Sequence, residues 1–192
     1  MQVCVYCASS AKIDSAYFEA TEELARLLVE NDVQVVFGGG GSGLMGKLAD
    51  VVLQHGGKIK GIMPQFMNEV EWGHTGVSDF TYTHTMHERK AKFLEGTDAI
   101  IALAGGTGTF EELFEAITLK KLGQIDTPIV ILNTRGYYNL FQQWMDLAVE
   151  EKFMSDDQNQ IWRMVDSPAD VLTAIHQFER KRIDIKNAGK MR

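Results

Sequence analysis

The reading of the fold turns on DAIIALAGGTGTFEELF, Asp98 to Phe114. Asp98 to Ala104 is apolar at almost every position, the mark of a strand buried on both faces. The chain then passes Gly105, Gly106 and Gly108 and enters a segment with helical spacing. Phe110, Leu113, Phe114 and Ile117 recur at i, i+3, i+4 and i+7, which defines a core face. On this reading Glu111, Glu112 and Glu115 lie on the other side of the helix. A buried strand, a glycine turn and a helix in that order form half of a βαβ unit.

The same order recurs outward in both directions. Upstream, VCVYC (3–7) reads as a strand and Asp14 to Asn31 as a helix with Asp14 as its N-cap. VQVVF (33–37) is a strand, and GLMGKLADVVLQHGG (43–57) a helix closed by Gly56 and Gly57. KIKGIM (58–63) is a strand stopped by Pro64. Residues 65–79 are less regular, FTYTH (80–84) reads as a short strand, and Thr85 to Glu95 as a helix. Downstream of the Thr109–Leu122 helix, PIVILN (128–133) and IWRMV (161–165) are strands. Tyr137 to Lys152 and Pro168 to Arg180 are helices. The expected fold is a doubly wound, Rossmann-like α/β domain over residues 1–180, a parallel sheet with helices on both faces, and 181–192 form a frayed tail. Such sheets bind ligands at the carboxyl ends of their strands, where both glycine clusters fall.

The 192 residues are 45% hydrophobic and 23% charged, an ordinary globular balance. The net charge of -7 argues against nucleic acid or an anionic membrane as partner. No run of about 18 apolar residues occurs, so no membrane span is expected. MQVCVYCASS does not read as a signal peptide, which favours the cytoplasm. Cys4 and Cys7 lie three apart on a strand and point to opposite faces, so they read as reduced structural thiols rather than a disulfide or metal pair.

Around the second cluster, backbone N–H groups and the positive end of the helix dipole can hold a phosphate, with hydroxyls from Thr107 and Thr109. The glutamates then read either as a solvated first turn or as a carboxylate held beside a sugar phosphate. The first cluster, FGGGGSGLMGKL (37–48), imitates two motifs. Gly41, Gly43 and Gly46 spell a dinucleotide fingerprint, but the next strand ends in GIMPQ with no acid for the ribose. Gly41, Gly46 and Lys47 fit a P-loop, but Leu48 stands where a hydroxyl must hold Mg²⁺, which excludes an NTPase. What remains is a loop that lets the backbone approach a ligand; the same glycines also suit a tight turn without one. In TMHERKAKFLEG (85–96), Arg89 and Lys90 lean toward the apolar side of their helix. Either they snorkel or they meet an anion, a phosphate or the glutamates above.

Taken together, GGGGSGLMG, MHERK and AGGTGTFEE resemble the LOG ("Lonely Guy") family of cytokinin riboside 5′-monophosphate phosphoribohydrolases, long labelled lysine decarboxylases. The resemblance runs from about Val3 to Ala174; Ala104 stands where the family has proline. It implies water-driven cleavage of the N-glycosidic bond of adenosine 5′-monophosphates, often N6-prenylated, to free base and ribose 5-phosphate. It implies Glu112 and Arg89 as the catalytic pair. It implies Lys90, Met86, Gly39, Gly40, Gly43, Gly105, Gly106, Thr107, Gly108 and Thr109 as nucleotide-binding residues. It implies no metal and no organic cofactor, and a homodimer with sites near its interface. The aromatic-rich helix after Tyr137 suits that interface or an ordinary core. The competing expectation is a noncatalytic nucleotide or molybdenum-cofactor carrier of related fold.

Overall fold

The computed structural model describes residues 1–68, 72–155 and 161–178. Strands and helices alternate: β1 (Gln2–Tyr6), α1 (Ser15–Glu30), β2 (Gln34–Phe37), α2 (Gly43–Gln54), β3 (Ile59–Pro64), α3 (Gln65–Asn68), β4 (Asp79–Thr83), α4 (Met86–Leu94), β5 (Ala99–Ala102), α5 (Thr107–Lys121), β6 (Ile129–Leu132), α6 (Asn139–Glu150), β7 (Arg163–Val165) and α7 (Val171–His176). The seven strands form one sheet in the order β4-β3-β2-β1-β5-β6-β7. Every pairing is parallel; Cys4 sits opposite Val36 on one side and Ile100 on the other.

Residue alternation along β1 builds the two layers. Val3, Val5 and Cys7 pack with α1, α2 and α7, whereas Cys4 and Tyr6 pack with α4, α5 and α6. The two cysteines are free, buried and on opposite faces, as their spacing requires. β5 and β6 are buried at every position. Fully burying one such aliphatic side chain stabilises by about 1.5–3 kcal/mol. Asp14 caps α1 by accepting from the Ala16 amide at 3.0 Å.

Several boundaries differ from the sequence reading. Pro64 does not stop β3 but ends it in register, opposite Thr83. β2 has already ended at Phe37, opposite Gly61, so on that side the missing proline N–H interrupts no ladder. α6 begins only at Asn139, because Thr134–Gly136 forms a 3₁₀ turn with Arg135 at φ 57°. The last helix starts with a 3₁₀ turn, Pro168–Asp170, and runs to His176. The expected frayed tail lies outside the described residues.

All strand carboxyl ends share one edge. Chain progression runs outward through β2, β3 and β4 on one side of β1, and through β5, β6 and β7 on the other. The reversal between β1 and β5 splays the two halves apart and opens a crevice above their ends.

Candidate active site

At the end of β5 the chain turns through Gly105 and Gly106 into α5. The carbonyl side of this turn is tied down. Tyr137 Oη donates to Gly105 O at 2.6 Å, Tyr138 Oη to Leu103 O at 2.7 Å, and the Ala8 amide to Ala104 O at 3.2 Å. These bonds fix the backbone path at Ala104, where the resemblance implied a proline. The amide side is open. Gly106 is the N-cap and offers no side-chain cap. Among the described residues the amides of Thr107, Gly108 and Thr109 find no acceptor. A Cβ on Gly105 would strike the Thr109 hydroxyl, but one on Gly106 or Gly108 would meet nothing within 4 Å. Neither of these two adopts a positive φ. No neighbour among the described residues requires glycine at either position, which leaves space in front of the open amides.

The loop after β2 is different, because its amides are occupied. Leu44 and Met45 N–H both donate to Ala8 O, at 2.9 and 3.3 Å, Gly46 donates to Ser42 O at 3.1 Å, and Gly41 to Trp72 O at 2.9 Å. Its glycines answer to protein neighbours. Gly39 and Gly43 have φ of 82° and 61°. A Cβ on Gly43 would lie 2.5 Å from the Ser9 carbonyl carbon, and one on Gly46 2.5 Å from Gly41 O. Gly38 makes way for Arg89, whose Nη2 would lie 2.5 Å from an added Cβ.

Arg89 arrives from α4. That helix is started by a reciprocal cap: Glu88 N–H donates to Thr85 Oγ1 at 3.1 Å, and Glu88 Oε2 accepts from His84 N–H at 2.8 Å. Arg89 Nε donates to Ile62 O at 3.0 Å, Nη1 donates to Glu112 Oε1 at 2.9 Å, and the guanidinium lies 4.6 Å above the Phe93 ring. Beside it, Lys90 Nζ pairs with Glu111 at 2.7 Å and Glu115 at 3.3 Å. The hydrogen bond to Glu111 leads in holding the Lys90 pKa above its ordinary value. The two cations that leaned toward the apolar side thus meet the glutamates.

This overturns the placement of Glu112 on the side of the helix away from its buried face. It is 9% exposed and shares the buried side of α5 with Thr109, Leu113, Ala116, Ile117 and Lys120. Phe110 and Phe114 are only half-buried and turn toward the rings of Tyr138 and Phe141. The apolar count misjudged the stripe because part of the buried side is polar. Burial drives the Glu112 carboxyl up to about 7, against the downward pull of Arg89.

Above the strand ends lies a cleft of about 890 Å³, within the ordinary range for small-molecule sites. One wall carries Gly106, Thr107, Gly108, Thr109, Glu112 and Arg89; Cys7, Ala8 and Ser9 lie between the halves. The opposite side carries Gly40, Met45, Met63, Met67 and the segment Trp72–Thr75, and Met86 also contributes. Of the expected binding residues, Gly39, Gly43, Gly105 and Lys90 do not line the cleft among the described residues. Gly39, Gly43 and Gly105 shape the two loops, and Lys90 is engaged with its two glutamates. The sequence reading did not name Gly38, Met45, Trp72 or His74 individually; the first two lie in the glycine cluster 37–48 and the last two in the irregular stretch 65–79. No group of three His, Cys, Asp or Glu is placed to share a metal ion, and no helix is long and apolar enough to cross a membrane, among the described residues.

A doubly wound parallel sheet, an open helix N-terminus at its switch point and a buried carboxylate one turn further on define a protein of the Rossmann-like nucleotide-fold class. Within that class the chain belongs to the LOG family: the family model described as "Possible lysine decarboxylase" matches residues 45–175. It is 36% identical over 183 residues to the cytokinin riboside 5′-monophosphate phosphoribohydrolase LOG2 of Arabidopsis thaliana, covering 95% of this chain and 86% of that one. It is also 36% identical over 177 residues to the probable enzyme of the same name, LOGL6, of Oryza sativa subsp. japonica, covering 92% and 71%. Among solved structures it is similar to the molybdenum cofactor carrier protein of Chlamydomonas reinhardtii, with a TM-score of 0.69 over 92% of this chain and 96% of that one. At 18% identity that likeness is one of fold.

Proposed function

We propose that this chain is an enzyme that hydrolyses the N-glycosidic bond of adenosine 5′-monophosphates, AMP or its N6-prenylated forms, to free base and ribose 5-phosphate. The observation that carries the reading is the pair Gly106 and Gly108, glycines facing open space at an uncapped helix N-terminus, with Glu112 one turn beyond. Family membership supports it, since curated relatives carry this activity in their names.

The phosphate sits on the amides of Thr107, Gly108 and Thr109, where partial positive charge gathers. Gly108 and Glu112, four apart, share a helix face, separated by about 6 Å along the axis. That offset sets the carboxylate beside C1′ when the 5′-phosphate is anchored. As the bond from C1′ to the base nitrogen breaks, positive charge grows on the sugar, and an ionised Glu112 stabilises it. The same carboxylate takes a proton from the water whose oxygen bonds to C1′, and the departing base takes its proton from solvent. Arg89 holds Glu112 in place through the 2.9 Å bond. A lysine decarboxylase would need a Schiff-base lysine, and no described residue lining the cleft is a lysine.

The test is incubation with AMP, with adenosine as control, followed by separation of the products. Adenine and ribose 5-phosphate from AMP but not from adenosine are expected; equal turnover of both removes the phosphate anchor. AMP binding without release of adenine favours the carrier reading, which leaves the Arg89–Glu112 pair without a role. Turnover of AMP against its isopentenyl form identifies the preferred base. The reading includes a homodimer in the cytoplasm. Leu140, Trp144 and Leu147, at 76, 61 and 50% exposure on one side of α6, support the dimer. Light scattering of Leu140→Glu against the parent chain tests it.

A further inference from the structure

We propose that Trp72 is the platform on which the purine base stacks. The inference rests on the nucleotide reading above and adds the residue that grips the other end of the substrate. Of the protein's three tryptophans, Trp144 packs on Phe114 and Trp162 on Phe141. Trp72 lines the cleft, is 58% exposed and has no ring or cation partner among the described residues. A large apolar ring left in water at the mouth of a cleft has a face to offer.

Its backbone is fixed. Trp72 O accepts from Gly41 N–H at 2.9 Å, His74 N–H donates to Gly39 O at 2.8 Å, and Gly40 and Gly73 form an antiparallel bridge between them. The His74 ring adds a second anchor. Its Nδ1 accepts from the Gly76 amide at 3.1 Å, which leaves Nε2–H to donate to Asp50 at 3.0 Å. With both ring nitrogens engaged, His74 serves as a strap from this segment to α2. The first glycine loop thereby gains a purpose, as the edge against which the Trp72 segment docks.

The spacing agrees. Trp72 hangs at the end of β2, and the open amides lie at the end of β5, with β1 between them. Two strand spacings amount to about 10 Å, the reach of an extended nucleoside monophosphate from its phosphorus into its base. Glu112 falls between the two ends, where the ribose must lie.

Three measurements on the full chain test this. In tryptophan fluorescence, AMP quenches the parent chain, and ribose 5-phosphate, which lacks a base, does not; the quench disappears in Trp72→Phe, because Trp144 and Trp162 do not line the cleft. In steady-state kinetics, Trp72→Ala raises KM for AMP about tenfold or more, the usual scale of one lost base stack, while kcat stays within about twofold. Trp72→Phe, which keeps an aromatic face, recovers most of the KM. Size exclusion shows the same oligomeric state for all three chains. An unchanged KM in Trp72→Ala, with the parent chain active, overturns the stack and leaves the nucleotide reading standing. A changed oligomeric state in Trp72→Ala overturns it in favour of a contact with a second copy. A parent chain that neither binds nor cleaves AMP removes both readings.

Discussion

Two glycine-rich loops end neighbouring halves of the sheet, and they do opposite work. In the loop from Gly38 to Gly46, positive φ at Gly39 and Gly43 and close approaches to Ser9, Gly41 and Arg89 require glycine, and the amides of Leu44 and Met45 are taken by Ala8. In the loop from Gly105 to Gly108, only Gly105 is required by a neighbour, and the helix amides are unclaimed among the described residues. Glycine content therefore does not mark a binding loop. What marks it is a glycine with no neighbour to excuse it, next to donors with no acceptor.

The largest effect is expected where the open loop meets its acid. Glu112→Gln should lower kcat for AMP by about 10²–10⁴, the worth of a positioned acid–base group, in a chain that still folds. Glu111→Gln is the control, because Glu111 is exposed and pairs with Lys90 rather than facing the cleft. Equal losses in both variants would break the assignment.

Next in size is the closed loop. Gly43→Ala places a Cβ against backbone at φ 61°, and should destabilise by about 2–4 kcal/mol from strain and overpacking together. Urea melts read this directly. Gly108→Ala should invert the pattern. Stability should hold or rise by up to about 1 kcal/mol, since alanine is the better helix former. The methyl group fills the phosphate seat, so kcat/KM for AMP should fall about tenfold or more, as for the loss of one charge-assisted hydrogen bond. If both variants lose stability equally, the contrast between the loops is wrong.

A further effect is in pH dependence. Burial raises the Glu112 pKa from 4.5 to about 7, so between these values the native state holds a proton that the unfolded chain has released. Stability contributed by Glu112 therefore falls as pH rises through that window and levels off above it. Melting temperatures of Glu112→Gln should gain on the parent chain from pH 4.5 to 7, whereas Gly108→Ala should keep the parent slope. The kcat/KM of the parent should rise with pH through about 7, as the carboxylate forms.

The layers were legible because β5 and β6 are apolar throughout, β1 is apolar after Gln2, and glycines follow β2 and β5. The turn from β5 into α5 was legible because its glycines precede a helix. The burial of Glu112 was not, since a stripe counted from apolar residues misses Thr109 and Lys120, which are buried on the same side of α5. The sequence did show that Arg89 and Lys90 needed anions, but which acid each meets depends on how α4 lies across α5. The closed state of the first loop was hidden for a similar reason, because its acceptor, Ala8 O, belongs to another segment.

The switch point also has a consequence for assembly. β1 pairs with β2 after one short crossover, but its other neighbour, β5, arrives from far along the chain; the Gln2 amide reaches Asp98 across 96 residues at 2.8 Å. Pairings of such sequence separation are slow to close, because the loop entropy must be overcome first. A chain with only β1 to β4 in place has the closed loop and the Trp72 segment, but neither the open amides nor Glu112. The two ends of the cleft come from different halves of the polypeptide, so they face each other only once β5 has closed onto β1. Substrate can hold the two halves together, and it cannot recruit the first half alone.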